Sequence, residues 1–205
     1  MYKYVDFPDL PNNLITEISN YFRNNQSKLI SINESRHFKT LHSKMISFDP
    51  LEDISNNIGI PIKFADELYT DYCEYSIMPS PKIVNDWIYK NIPINNVHAS
   101  IQAFTNGKFF IPHRDVLRDV AYNYIIELGG TNVKTCFYKT KQEYNHLDTK
   151  AIIRTFIPYS RIELIDYVVF EKNKWHEIKV NNIHSVENID PSSIRLSLTL
   201  SVINQ

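Results

Sequence analysis

Ile194-Arg195-Leu196-Ser197-Leu198-Thr199-Leu200-Ser201 alternates apolar and polar side chains without a break. Successive side chains of a strand point to opposite faces, so Ile194, Leu196, Leu198 and Leu200 share one face and Arg195, Ser197, Thr199 and Ser201 the other. Upstream, strand-length apolar runs separated by turn residues continue back to Asn95: Val97 to Phe104, Lys108 to Ile111, Ala121 to Leu128, Val133 to Tyr138, Ile152 to Ile157, Tyr167 to Glu171, His176 to Val180 and His184 to Asn188. Asn106-Gly107 reads as a hairpin turn, and Gly129-Gly130 closes the run before it. With no long helix between these runs, the pattern argues against a parallel α/β sheet. The second half is predicted to be an antiparallel sandwich or jelly roll, and the whole chain α+β, mainly β.

The first 95 residues have a different texture. Leu14, Ile15, Ile18, Tyr21 and Phe22 recur three and four apart after Pro11, which predicts an amphipathic helix ending near Asn24-Asn25. Pro50, Pro61, Pro79 and Pro81 punctuate the following region, where only Ala65 to Tyr75 reads as helix. Pro81 opens a further helix over Lys82 to Tyr89, with Ile83, Val84, Trp87 and Ile88 as its buried stripe. Residues 1–95 are therefore expected to be a helical and loop support for a core at 96–205, within one domain.

Bulk properties narrow the class of function. A formal charge of -1 gives no global electrostatic reason to expect nucleic acid or an anionic membrane surface. The basic run Arg36, His37, Lys39, His42 and Lys44 is read as a solvated loop or strand edge, with contact to an anionic substrate, as a lid, or to a nucleic-acid backbone as its functional alternative. Cys73 and Cys136 stand far apart, so neither a disulfide framework nor a thiolate zinc site is indicated. The opening MYKYVDFPDL lacks the basic and apolar sections of a signal peptide, and no apolar run is long enough to span a bilayer. A reducing, cytoplasmic location is the expectation.

The chemistry-bearing residues are His113-Arg114-Asp115, His184 and Arg195. On a strand, His113 and Asp115 at i and i+2 point to one face and can grip one ion together, while Arg114 points away. His184 comes 71 positions later, a separation that a jelly roll spans when it returns a late strand beside an early one. Two imidazoles and one carboxylate are the set that holds Fe(II) on one side and leaves positions open for a co-substrate and oxygen. Ser185, Asn188 or a backbone carbonyl is expected to orient the His184 ring. A polar inner wall headed by Arg195 calls for an anion, and a dicarboxylate answers it, with Ser197 adding a further bond. A second His-x-Asp, His146-Leu147-Asp148, lies in a polar run with no strand before it and is set aside. His176 is expected outside the metal shell.

In these residues the chain resembles the non-haem Fe(II)/2-oxoglutarate-dependent dioxygenases, whose pattern is His-x-Asp/Glu, a distal His and an Arg about ten residues further on. Ile111-Pro112-His113-Arg114-Asp115, Trp175-His176-Glu177-Ile178 and His184-Ser185-Val186-Glu187-Asn188 look like the aspartyl/asparaginyl β-hydroxylase-like branch, which includes proline hydroxylases. Some members of that branch lack the carboxylate ligand, whereas Asp115 is present here. The resemblance implies a double-stranded β-helix of the cupin type, Fe(II) on His113, Asp115 and His184, and 2-oxoglutarate held by Arg195, with Arg195-Leu196-Ser197 similar to an Arg-x-Ser co-substrate motif. It further implies a second co-substrate contact from Tyr124 or Asn123, with Lys134 as a competitor for a carboxylate.

The implied reaction consumes O2 and 2-oxoglutarate and hydroxylates a C–H bond of a small molecule or an amino-acid or peptidyl side chain. Arg118 is a candidate for the substrate carboxylate. A protein-kinase reading of His113-Arg114-Asp115 fails, because Val120 stands where the magnesium-binding Asn should be. The second Arg of nucleic-acid demethylases is replaced by Ser201. Two other classes stay open: a cupin-like metalloenzyme that uses no 2-oxoglutarate, and a non-catalytic jelly-roll binding or structural module.

Overall fold

A computed structural model describes residues 1–26, 30–31, 62–64, 67–69, 71–115, 118–141, 154–157 and 159–202. In chain order the elements are β1 (Tyr2–Tyr4), α1 (Asn12–Asn25), β2 (Ile30–Ser31), β3 (Ile62–Phe64), β4 (Glu67–Tyr69), β5 (Glu74–Pro79) and α2 (Lys82–Asn91). Then follow β6 (Val97–Thr105), β7 (Phe109–Asp115), β8 (Val120–Leu128), β9 (Lys134–Thr140), β10 (Arg154–Phe156), β11 (Ile162–Val168), β12 (Trp175–Lys179), β13 (Ile183–Glu187) and β14 (Arg195–Val202). The main sheet runs β1-β12-β8-β14-β6-β5-β2 and the second β10-β7-β13-β9-β11, with antiparallel pairing throughout both. β3 and β4 form a separate ribbon. This is the double-stranded β-helix.

β14 sits between β8 and β6 at the centre of the main sheet, and its alternation explains why. Leu196, Leu198 and Leu200 are almost wholly buried in one cluster with Leu14, Ile18 and Phe22 of α1 and Val84 and Ile88 of α2. Arg195 and Ser197 face the other way, into the space between the sheets. Pro11 and Pro81 precede the two helices and serve as their N-caps, and each helix buries residues four apart on its sheet-facing stripe. Since Leu198 is 0% exposed, Leu198→Ala is expected to cost about 2–5 kcal/mol. The measurement is urea unfolding, in which the midpoint should fall at unchanged slope.

Several expectations need correction. The described residues between Ala65 and Tyr75 are not helical: β4 and the start of β5 lie there, because pairing of β4 with β3 and of β5 with β6 overrides a weak local helical pattern. Residues 1–95 are more than a support layer, since β1, β2 and β5 extend the main sheet. In α2 the stripe is Val84 and Ile88, with Trp87 partly buried and Ile83 exposed. The strand expected over Tyr167 to Glu171 is β11, earlier by several residues.

Asn106-Gly107 turns the chain, but β6 and β7 belong to different sheets, so the turn is a sheet-crossing corner rather than a hairpin. Asn106 takes the left-handed conformation with φ 56°. A Cβ at Gly107 would overlap the backbone of Tyr72 and Cys73. That close approach lets Lys108 N–H donate to the Asp71 carbonyl at 2.7 Å and Cys73 N–H to that of Phe109 at 2.7 Å. The basic run 36–44 and the His146-Leu147-Asp148 triplet lie outside the described residues.

Candidate functional site

β7 carries Ile111-Pro112 immediately before His113, and the pair marks an irregularity. Opposite β13, His184 aligns with His113 and Val186 with Phe110, so three steps on β7 answer two on β13. Such a bulge tolerates a proline, which has no N–H to give to the ladder, and it re-aims side chains. Phe110 and His113 consequently both face the space between the sheets despite their odd separation. The Pro112 carbonyl still accepts from Ile157 N–H at 2.8 Å.

His113, Asp115, His184, Arg195 and Ser197 all line one cavity between the two sheets, together with Gln102, Asn123, Thr135 and Arg118. Its apolar wall includes Phe104, Phe110, Ile125, Ile178, Val180 and Val186. The imidazoles of His113 and His184 are 4.2 Å apart by ring centroid, and His113 Nε2 stands 3.9 Å from Asp115 Oδ1. Each ring donates its Nδ1–H to a backbone carbonyl two residues back, His113 to Ile111 and His184 to Asn182, at 2.9 Å in both cases. A donating Nδ1 puts the lone pair on Nε2, the tautomer a metal ligand needs. The orienting group for His184 is therefore the backbone. Ser185 instead faces the far side of the sheet, where Glu187 Oε1 accepts from Ser185 Oγ and Tyr159 OH at 2.9 Å each and from Tyr138 OH.

The three groups are neighbours rather than a finished cage: among the described residues, no three His, Cys, Asp or Glu side chains already converge as an ion-holding set. Beside them Arg118 Nε donates to Asp115 Oδ2 at 2.7 Å. The donor types, the burial of all three groups and the fixed imidazole tautomers fit a divalent cation of the Fe(II) kind.

Arg195 is the other unusual group. It is 3% exposed, and among the described residues its one hydrogen bond is to the Leu128 carbonyl at 3.3 Å. No carboxylate of a described residue pairs with it. Burial lowers its pKa to about 10, the direction expected of a cation that lacks its counter-charge. Gly129 makes room for it: at φ +77° a Cβ there would lie 2.6 Å from Arg195 Cβ.

Tyr124 is a correction. It is 1% exposed on the opposite face of β8, packed in the helix-side cluster with its ring 5.1 Å from that of Trp175. Asn123, its neighbour by one residue, lines the cavity instead, and its Oδ1 has no hydrogen-bond partner among the described residues. Lys134 stays out of the cavity and covers the Tyr167 ring at 4.3 Å. Gln102 and Thr135 escaped sequence reasoning; the signal for Gln102 was a lone amide in the apolar run from Val97 to Phe104.

His176 is also away from the cavity, its ring 4.2 Å from Phe170 and its Nε2 at 3.1 Å from the Glu171 carbonyl. Desolvation, foremost, holds its pKa below the ordinary 6.5. The unfolded chain therefore takes up a proton before the native state does, and stability falls as pH drops below about 6.5 toward the lowered native value. His176→Phe should flatten this part of the stability profile relative to wild type, as measured by denaturant midpoints between pH 7 and the acid limb.

No protein-family profile and no curated protein matches the sequence. Solved structures do match in three dimensions. A Pseudomonas putida prolyl-4-hydroxylase is similar over 100% of this chain and 92% of its own, with 10% identity and a TM-score of 0.50. The Escherichia coli protein ycfD is similar over 71% of this chain at 12% identity and TM-score 0.43, and this chain spans only 37% of its length. A cupin-like protein of Thermotoga maritima is similar over 63% of this chain and 68% of its own, with 12% identity and a TM-score of 0.32. At 10% identity the likeness to the prolyl-4-hydroxylase is one of fold alone.

Proposed function

We propose that this protein is an Fe(II)- and 2-oxoglutarate-dependent oxygenase that hydroxylates a C–H bond of a small molecule or of an amino-acid or peptidyl side chain. The observation that carries the reading is Arg195: a buried guanidinium without a carboxylate partner among the described residues, in the same cavity as His113, Asp115 and His184. A buried cation of this kind is stabilised when a dianionic ligand enters, and 2-oxoglutarate has a carboxylate for Arg195 and a 2-oxo acid end for a metal.

His113, Asp115 and His184 would hold Fe(II). When bound, the iron supplies the redox chemistry by which O2 and 2-oxoglutarate are converted to succinate and CO2 while one oxygen atom replaces a substrate C–H with C–OH. The chain's own residues bind, orient and exclude water. Arg195 offers its fork of N–H donors to the distal carboxylate of the co-substrate, and the Ser197 hydroxyl, two residues along the same face, adds another. The Ile111 and Asn182 carbonyls keep both imidazoles in the ligating tautomer. Phe104, Phe110, Ile125 and Val186 keep the cavity wall apolar, which strengthens the charge interactions inside it.

The proposed setting is a reducing cytoplasm, supported by two free and buried thiols, Cys73 and Cys136; burial pushes that of Cys136 up to about 12. Among the described residues no helix is long and apolar enough to cross a membrane.

The test is anaerobic addition of Fe(II) and then 2-oxoglutarate to the full chain. A visible charge-transfer band of the chelate is expected, followed on admission of oxygen by succinate release with a panel of amino acids and peptides. Metal binding without a 2-oxoglutarate response would indicate a cupin-like enzyme of another kind. Fe(II) binding no better than that of His113→Ala would indicate a non-catalytic module.

A further inference from the structure

Arg118 joins two parts of the fold that meet at the cavity. Its Nε donates to Asp115 Oδ2 at 2.7 Å, where Asp115 ends β7 of the second sheet, and its Nη1 donates to the Ser201 hydroxyl on β14 of the main sheet. The Asp115 side chain is 4% exposed and that of Arg118 17%, so the pair lies where water screens it poorly. The Asp115 backbone is fixed as well, its N–H donating to the Val180 carbonyl at 2.8 Å. With the main chain and Oδ2 both held, rotation of the carboxylate is restricted. The other oxygen, Oδ1, is then the one 3.9 Å from His113 Nε2.

A guanidinium in this position is not a free receptor for a substrate carboxylate, because two of its nitrogens are already committed. Resting on the metal-centre reading above, we propose that Arg118 is a positioning residue: anchored on Ser201, it fixes the Asp115 carboxylate so that Oδ1 alone is offered to the metal. Two physical effects oppose each other. The positive charge weakens cation binding through space, whereas orientation of a buried ligand strengthens it by removing the cost of ordering the carboxylate. Loss of an outer partner of a metal ligand costs about 10–100-fold in affinity, which makes orientation the larger effect.

The experiment is titration of the metal-free full chain with Mn(II), reading free ion by its EPR signal, alongside Co(II) absorption to report the coordination sphere. Arg118→Ala is expected to weaken Mn(II) binding by about 10–100-fold and to alter the Co(II) bands. Arg118→Lys, which keeps the charge but not the fork, should recover part of the affinity. Ser201→Ala, which removes only the anchor, should fall between wild type and Arg118→Ala.

Full rescue by lysine, or affinities of Arg118→Ala within twofold of wild type or tighter, would overturn the inference. So would an unchanged metal affinity combined with a raised KM for a carboxylate substrate, since Arg118 would then be a substrate contact. If Arg118→Ala does not fold, Arg118→Lys and Ser201→Ala decide, and wild-type affinity in both overturns it. Wild-type protein that fails to bind Mn(II) in a His113-dependent manner instead defeats the metal-centre reading itself.

Discussion

Arg195→Met is expected to make the ligand-free protein more stable and at the same time to abolish its response to 2-oxoglutarate. The first effect follows from the environment of the guanidinium, which is almost fully buried, bonded to one carbonyl, and has its pKa lowered to about 10 chiefly by desolvation. Replacing a poorly compensated buried charge by an apolar side chain of similar length is stabilising by about 1–4 kcal/mol. The second effect has the opposite sign, because removing one partner of a buried charge pair costs roughly 3–5 kcal/mol, or about 10²–10⁴-fold in the affinity for the dicarboxylate.

Thermal unfolding with and without Mn(II) and 2-oxoglutarate separates the two. Ligand at a hundred times its Kd adds about 2.7 kcal/mol to the wild type, and the variant should show none of that increment. A variant that is less stable without ligand, yet still stabilised by 2-oxoglutarate, would show that Arg195 serves the fold and not the co-substrate.

His113→Ala and His184→Ala should each remove divalent-cation binding, and with it any turnover. The residues are direct partners across β7 and β13, so the ladder itself brings the two rings to 4.2 Å. Both line the cavity rather than the helix-side core, and His113 meets Phe110 edge-on at 4.9 Å. Metal affinity should therefore fall by more than the about 10–100-fold expected for an outer partner, while the melting temperature of the metal-free protein moves little. Equal cation affinity in wild type and both variants would place any metal elsewhere.

Periodicity made much of this architecture readable. The unbroken alternation from Ile194 to Ser201 separates the helix-facing leucines from the cavity-facing Arg195 and Ser197, because a period of two leaves a strand no other way to bury one face. The same rule puts His113 and Asp115 together, and the recurrence of Leu14, Ile18 and Phe22 describes α1.

Sheet membership was not readable. Asn106-Gly107 signals a turn whether the next strand pairs with the last one or crosses to the other sheet, and the backbone of Tyr72 and Cys73 packed against Gly107 decides which. The face of Tyr124 escaped for a related reason: Tyr122, Asn123 and Tyr124 are all plausible contacts, and a register difference of one residue sends Asn123 inward and Tyr124 to the helices. Ala65 to Tyr75 shows the limit of local propensity, since the hydrogen bonds that make β5 a strand belong to β6, more than twenty residues away.

Local side-chain order thus follows from the chain's own alternation, because it depends only on the geometry of neighbouring residues. The link from Asp115 through Arg118 to Ser201 spans 83 positions between its last two members and exists only once both sheets are stacked. No nearest-neighbour pattern encodes such a contact, for its free energy arises from burial and charge between elements that are strangers until the barrel closes.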